Sequence, residues 1–407
     1  MEKKIENYDV VIIGGGAAGM TAGIYCGRAR LKTLIIEKAL VGGLATYTNE
    51  IENYPGFPEG STGLGLMELF HKQAKKFDVK FKLTDVRSVK LEGDDKIVET
   101  FRNEYHCKVV IIASGGKPRL TGAKGEDKYL YDKGISFCAT CDAAANTDKT
   151  VMVIGSGDAA IEEGMFLTKF AKKVIVSVLH DEGIMDCNEI AKGECMRNEK
   201  MELLWNTTVE EFKGSERLTH VALKNSKTGE ITDVPVDTCF IFIGYVPNTE
   251  MFKGMIDMTR GGYVITNERM ETRIPGVFCA GDVRDKFLKQ VATAVGDGAI
   301  AGYAAEKYIA ESETFEHQIM GHDRRIVYVY NAANADDRKM LAEMEKYGQC
   351  CCDLMLKKVD VYKSNGIAQR LGVDQVPCVA YIRDNKVIGC VSCGEINAEN
   401  IDKLVEQ

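Results

Sequence analysis

The feature that most constrains the fold is a glycine cluster placed directly behind an apolar β-branched run. Residues 8–13 read Tyr-Asp-Val-Val-Ile-Ile, and Gly14-Gly15-Gly16-Ala17-Ala18-Gly19 follow at once. A helical pattern then runs to Arg30, and a second apolar strand at 33–36 ends on Glu37. Strand, glycine turn, helix, strand and acid make one βαβ unit, which demands a parallel sheet. Within Gly-x-Gly-x-x-Gly, Gly14 permits the tight turn and Gly16 lets a pyrophosphate approach the backbone. Gly19 allows helix–strand contact, and the helix N-terminus stabilises the anion. Glu37, 23 residues beyond Gly14, stands where a carboxylate can bind a ribose hydroxyl. The pattern returns at 150–154 with Gly155-Ser156-Gly157-Asp158-Ala159-Ala160, a helix to about 171 and a strand at 174–178. In this second fingerprint Gly155, Gly157 and Ala160 hold the key positions, with Asp158 and Ala159 opening the helix. Its acceptor end is weaker, because residues 178–180 read Val-Leu-His with neither carboxylate nor arginine. A retained fold with reduced or lost nucleotide affinity is the alternative reading there.

Composition closes off other classes. The 407 residues carry 52 Lys and Arg against 60 Asp and Glu, a formal net charge of −8. With no basic run, nucleic-acid binding is not expected. No stretch of eighteen apolar residues exists, so no membrane span is expected. The charged residues 1–9 lack a signal-type apolar segment, which points to the cytoplasm. Fourteen cysteines in a long chain of that kind point to thiol chemistry or to small buried side chains.

Cys138-Ala139-Thr140-Cys141-Asp142 places two thiols at C-x-x-C spacing just before the second βαβ unit. One thiol of such a pair commonly reacts as thiolate, and Asp142 adds a carboxyl suited to proton transfer. Zinc binding with His180, Cys187 and Cys195 is an alternative with irregular spacing, and inert buried thiols are another. Further short strands ending in glycine lie at 109–115 and 277–281. The polar stretch 311–325 reads as a linker. Residues 326–407 then alternate strands (326–330, 356–361, 378–382, 387–390) with helices near 338–347, 365–371 and 398–405. That is one small α/β domain.

Taken together, residues 1–315 closely resemble the low-molecular-weight thioredoxin reductase family of flavin disulfide reductases. The likeness rests on Gly14 to Gly19, Gly42-Gly43 with Asn53-Tyr54-Pro55-Gly56, Ile111 to Gly115, and the Cys-Ala-Thr-Cys-Asp motif at 138–142. It continues through residues 155–163, residues 244–249, and Cys-Ala-Gly-Asp-Val at 279–283 followed by Lys289-Gln290. The resemblance implies an α/β chain with two Rossmann-like nucleotide-binding domains, one inserted in the other, followed by a small thioredoxin-like α/β domain. The FAD-binding domain is split between 1–117 and 245–315, and 118–244 form the inserted pyridine-nucleotide-type domain with the redox motif. Gly14, Gly16, Ala17, Ala18 and Gly19 would hold the FAD pyrophosphate and Glu37 its ribose. Gly43, Thr46, Asn53, Gly115 and Gly281 would line the same cofactor. Asp282 would contact its pyrophosphate or ribityl region, with Lys289, Gln290 and Val291 near the flavin. By the same resemblance Cys141 faces the flavin, Cys138 exchanges with the substrate disulfide, and Asp142 moves the proton. Thioredoxin or a similar protein disulfide is the implied partner, a homodimer the implied assembly, and rotation between two domain orientations the implied motion.

Two departures qualify the likeness. Members specific for NADPH carry arginines after the second nucleotide strand that pair with the 2′-phosphate. Here residues 178–184 read Val-Leu-His-Asp-Glu-Gly-Ile, and Asp181 and Glu182 add negative charge. The expected donor is therefore NADH, reduced ferredoxin or another low-potential carrier, with NADPH disfavoured. An NADH oxidase or peroxiredoxin-linked reductase, or a redox-sensing flavoprotein without turnover, are the runner-up readings. Residues 326–407 resemble thioredoxin, with Val376-Pro377 as its cis-proline turn. The two thiols of its redox motif are replaced by Ala335 and Arg338. Docking is the simpler role for this domain. A displaced redox site at Cys378, at Cys390 with Cys393, or in the Cys350-Cys351-Cys352 triplet is the sharper one.

Overall fold

The computed structural model describes residues 3–47, 51–130, 133–320, 324–350, 354–362 and 364–406. Two compact units divide the chain, Met1–Tyr303 and Ala304–Gln407.

The first unit holds two parallel cores. Its larger sheet runs Lys80–Leu83, Thr33–Glu37, Lys4–Ile13, Asn103–Ile112, Lys96–Thr100 and Val86–Lys90, with Val277–Cys279 joined to Asn103–Ile112. The ten-residue strand Asn103–Ile112 is long enough to share one edge. Residues 104–107 pair antiparallel with 96–99, and residues 110–112 pair parallel with Val277–Cys279. Val10, Val11 and Ile12 are fully buried, as are Val109 to Ile112. Burial on both faces is why these strands read as unbroken apolar runs and not as alternating patterns. The register places Ile13 opposite Ile36 and Ile112, and Ile112 opposite Cys279. All four strands therefore end at one level, and the turns that carry Gly14, Gly115 and Gly281 emerge from three of them at the carboxyl edge. Ligands of open α/β sheets bind at that edge.

The second sheet is wholly parallel, in the order Met201–Leu204, Lys173–Ser177, Thr150–Ile154, Thr238–Ile241 and Ile135–Ser136. Ile135–Ser136 delivers the chain to Cys138 at the same end from which the second glycine fingerprint leaves Ile154. Trp205 lies just past the strand Met201–Leu204, not on it, and packs half-buried against this core. A three-stranded antiparallel sheet, Thr207–Gly214, Leu218–Asn225 and Ile231–Pro235, follows.

The second unit carries a four-stranded sheet, Met355–Asp360, Arg324–Tyr330, Cys378–Arg383 and Lys386–Ser392. Only the first pairing is parallel. One face packs Val327, Val329, Cys378, Ala380 and Ile382 against Ile367, Ala368 and Leu371. The other packs Ile326, Tyr328, Val379 and Tyr381 against Met344, Ile401 and Leu404. The Val376–Pro377 peptide is cis, as expected from the sequence. Of the stretch 311–325 expected as a linker, residues 311–320 are helical instead, since Val291–Thr314 is one helix and Phe315–Met320 continues it as a further helical turn, and Arg324 and Arg325 already belong to a strand. Polar residues such as Glu316, His317 and Gln318 are compatible with a helix whose apolar side is covered. Ile319 is buried, and Phe315 and Met320 pack on the sheet core. Polarity alone misread the segment.

No described helix is long and apolar enough to cross a membrane.

Candidate active site

Cys138 and Cys141 form a disulfide with their Cα atoms 5.3 Å apart. Cys138 is the N-cap of the short helix Ala139–Asp142, so the two sulfurs flank one turn of chain. Ser136, at the end of its strand, fixes that turn. Its hydroxyl donates to Asp142 Oδ2 and accepts the backbone N–H of Cys138 at 3.2 Å. Asn146 donates to the Asp142 carbonyl at 2.8 Å and is held by Thr238 at 2.6 Å. Asp142 is thus anchored beside the pair by a buried polar chain.

A residue without an assigned role in the sequence reading lies beneath this turn. Glu163 sits on the helix Asp158–Leu167 beside the backbone N–H groups of Thr140 and Ala139, and its Oε2 is buried without a partner. Burial pushes its carboxyl above the ordinary range, against the opposing pull of those two donors. Its signal was the doubled acid Glu162-Glu163, one of which falls on the buried side of an otherwise apolar helix.

The turn is also tied to the residues expected around the flavin. Thr140, between the two cysteines, has its hydroxyl 3.4 Å from Cys138 Sγ and accepts from Gln290 Nε2 at 3.2 Å. Gln290 Oε1 in turn accepts from Asn53 Nδ2 at 3.1 Å. Asn53, Gln290 and the redox pair, widely separated in sequence, come together in one hydrogen-bonded row.

The first fingerprint is built as its spacing requires. Gly14 has φ of 110°, and a Cβ there would lie 2.2 Å from the carbonyl oxygen of Ala113. A Cβ on Gly19 would lie 1.9 Å from the carbonyl oxygen of Gly14. The helix Ala17–Arg28 opens at Gly16 with no side-chain cap and no acid in its first turn. Its first N–H groups are left for an anion, and Ala17 and Ala18 keep that end narrow. Glu37 is drawn inward: Oε2 accepts from Gly15 N at 2.7 Å and Oε1 from Ala39 N at 2.9 Å. Gly43 opens a 3-10 turn closed by Thr46 donating to its carbonyl at 2.7 Å.

On the far side, Gly281 N donates to Asp297 Oδ2 at 3.1 Å. Asp297 is buried and ion-paired with Arg284 and Lys286, both at 3.1 Å. Asp282 Oδ1 is buried 3.4 Å from Lys286 Nζ yet accepts no hydrogen bond, and burial raises its carboxyl pKa. Lys289 Nζ lies 4.3 Å from the Tyr263 ring centroid, and Val291 begins the long helix. Asp297, Arg284 and Lys286 had no motif to betray them. The residues fit FAD: an uncapped helix end, open space at Gly115 where an added Cβ would touch nothing, and an orphaned carboxylate oxygen at Asp282.

The second fingerprint is less hospitable. Gly155, Gly157 and the buried Ala160 keep the turn, and Gly157 caps its helix without a side chain. Asp158 is spent on Asn188, accepting from its backbone N at 2.7 Å and its Nδ2 at 2.8 Å. Asp186 stands at the mouth: Oδ2 accepts from Ser156 Oγ at 3.1 Å and contacts His180 Nε2 at 3.0 Å. The His180 contact is the largest influence holding Asp186 below its usual pKa. Asp181 pairs with Lys227. The zinc alternative loses its ligands, since His180 is engaged here and Cys187 and Cys195 are buried in the apolar core. Burial lifts Cys195 to about 11.

In the second unit the loop that would hold a thioredoxin motif is closed. Asn334 Oδ1 accepts from Asp336 N at 2.9 Å, the helix Ala335–Cys350 begins there, and the buried Asp337 accepts from Asn331 N at 2.8 Å. Of the cysteine triplet, Cys351 and Cys352 lie outside the described residues.

Residues 8–298 match the family model of pyridine nucleotide-disulphide oxidoreductases. A thioredoxin reductase of Peptoclostridium acidaminophilum is 42% identical over 308 residues, 74% of this chain and 97% of that protein. The thioredoxin reductase of Bacillus subtilis is 41% identical over 312 residues, covering 76% and 96%. The crystal structure of thioredoxin reductase from Streptococcus pyogenes superposes with a TM-score of 0.70 at 40% identity, over 75% of this chain and 98% of that one. With its redox disulfide and glycine cradle set as described, the chain belongs to the pyridine nucleotide-disulphide oxidoreductases and, among them, to the low-molecular-weight thioredoxin reductases, flavin-dependent disulfide oxidoreductases.

Proposed function

We propose that the chain reduces the disulfide of a thioredoxin-type protein through Cys138 and Cys141. The observation that carries this is the row Asn53–Gln290–Thr140, which seats the disulfide against the residues of the flavin cradle. Bound FAD supplies a ring that accepts an electron pair from the donor and passes it to a disulfide. As the family resemblance implies, Cys141 would face that ring, and Cys138, at the start of its turn, would be the sulfur freed to attack a partner's disulfide. Cys138 forms the mixed disulfide, Cys141 then displaces the partner's second sulfur, and the Cys138–Cys141 bond is restored. Asp142, held by Ser136, supplies the proton to the leaving sulfur. Gly14 to Gly19 with Glu37 would hold the dinucleotide, and the buried Oδ1 of Asp282, which accepts no hydrogen bond, would take a hydroxyl donor of the cofactor. The protein works as a homodimer in a reducing, cytoplasmic setting.

For the donor, the charge at the second fingerprint favours NADH or a low-potential carrier such as reduced ferredoxin over NADPH. Residues 178–184 carry Asp181 and Glu182 and no arginine, and Asp186 contacts Ser156 of the second fingerprint. Losing such charge-assisted bonds weakens phosphate preference by roughly several kcal/mol.

The test is anaerobic reduction of the purified flavoprotein by NADH, NADPH and reduced ferredoxin in parallel, followed by addition of oxidised thioredoxin. Flavin bleaching by NADH or ferredoxin, then thioredoxin thiols that vanish in Cys138→Ser and Cys141→Ser, is the expected outcome. Tight, saturable bleaching by NADPH would overturn the donor assignment. Thioredoxin reduction surviving both serine variants would overturn the path.

A further inference from the structure

The second unit has no thiol at Ala335 or Arg338, yet its sheet brings two other cysteines together. Cys378 opens the strand Cys378–Arg383, directly across from Val329 near the end of the inner strand Arg324–Tyr330. That is the edge of the sheet from which the loop at 331–334 leaves. On its other side Cys378 faces Ser392, and Ala380 faces Cys390. Cys378 and Ala380 both belong to the core face that packs on Ile367 and Ala368. Cys390 and Ser392 share that face by strand alternation, so Cys378 and Cys390 are diagonal cross-strand neighbours. Their thiols are near enough for each to be the largest influence on the other's titration. Cys378 is buried and Cys390 is exposed on the outermost strand of the sheet.

We infer that Cys378 and Cys390 form a second, independent thiol–disulfide exchange site whose substrates are protein disulfides. The site goes beyond the Cys138–Cys141 reaction and stands whether or not flavin feeds it. A buried thiol in contact with an exposed one supplies a resolving group and an attacking group. The neighbouring Cys378 thiol lowers Cys390 to about 7, and Cys390, helped by burial, raises Cys378. The exposed sulfur is therefore the thiolate.

Chemically, Cys390 loses its proton to water and its thiolate attacks one sulfur of the substrate disulfide. The Cys390–substrate bond forms, the substrate S–S bond breaks, and the departing sulfur takes the electron pair and then the Cys378 proton. Cys378 thiolate next attacks Cys390 Sγ, closing the Cys378–Cys390 bond and releasing the second substrate sulfur, which takes a proton from water. The substrate disulfide gains an electron pair and becomes a dithiol, and the Cys378–Cys390 pair is oxidised by the same amount. Cys393, three residues on, is exposed and free in the structure. It lies past the end of the strand Lys386–Ser392, in the turn at 393–394, outside the register that sets Cys390 beside Cys378.

The test uses the full chain as holoprotein, reduced, freed of reductant and mixed with excess oxidised thioredoxin as the probe disulfide. Thiols are alkylated and the protein is digested for disulfide mapping. A peptide linking Cys378 to Cys390, lost in Cys390→Ser, is expected. Before oxidation, Cys390 should alkylate with an apparent pKa near 7, and Cys378→Ser should move that value toward the ordinary thiol range. Cys390→Ser is at an exposed position and leaves the flavin-linked disulfide reduction unchanged. If Cys378 and Cys390 both stay alkylatable while Cys138–Cys141 is fully oxidised, or if Cys390 is found joined to Cys393 instead, the inference falls.

Discussion

At Glu163 a carboxyl with a buried oxygen lies beside the backbone N–H groups of Ala139 and Thr140, between the redox sulfurs. Those donors would otherwise stabilise a thiolate, and a negative charge beside them opposes one. Glu163→Gln keeps an oxygen acceptor and removes the charge. The variant is expected to hold its fold and to shift the Cys138–Cys141 couple to a more oxidising potential, by about 30 mV for each tenfold gain in thiolate stability. A thiol redox titration by alkylation reads this directly, and an unmoved midpoint would contradict the account. The same scale shows where sequence reading succeeds and stops. Cys138, Cys141 and Asp142 announce themselves because their chemistry is local, packed into five consecutive residues. Glu163 and Asp297 act across gaps of more than ten residues, and only the folded chain says which acid faces which donor.

Among elements, the helix Ala17–Arg28 depends on a close approach that leaves no room for a methyl group. A Cβ on Gly19 would sit 1.9 Å from a backbone oxygen, so Gly19→Ala must push the helix off the strand. Overpacking of this kind costs about 1–3 kcal/mol, and here it distorts the dinucleotide cradle itself. Purified Gly19→Ala protein should retain little FAD, read as the ratio of flavin to protein absorbance. A fully yellow variant with unchanged melting temperature would rule the packing argument out. The nucleotide units were legible because doubly buried parallel strands produce β-branched runs and because the turns they feed need glycine. The polar segment 311–325 was not, since a helix that covers a core with only a few apolar side chains shows little in its sequence. Nor was the Cys378–Cys390 contact. The sequence advertises Cys390 with Cys393 at C-x-x-C spacing, whereas strand register, including an irregularity between Tyr381 and Ile382, decides which sulfurs meet.

For the whole molecule, two nucleotide folds of the same ancestry of shape carry different charge at their mouths. The first presents an uncapped helix end with no acid in its first turn, and the second presents Asp158 at the helix start and Asp186 held ionised by His180. Asp186→Ala removes a charge within reach of a bound pyrophosphate and is expected to tighten NADH binding by roughly tenfold, on the order of 1 kcal/mol for charges partly screened by water. Calorimetric titration checks this at low ionic strength, where equal or weaker binding would show that Asp186 does not guard the site.

The central claim is that the flavin and the Cys138–Cys141 disulfide exchange electrons as one unit. It is tested most directly by anaerobic reductive titration of the holoprotein in a Cys390→Ser background, so that the second cysteine pair adds nothing. The account predicts that this protein takes up a second electron pair for each flavin before the ring stays bleached, and that adding Cys138→Ser and Cys141→Ser removes that extra pair alone. Equal uptake with and without the two cysteines would contradict it.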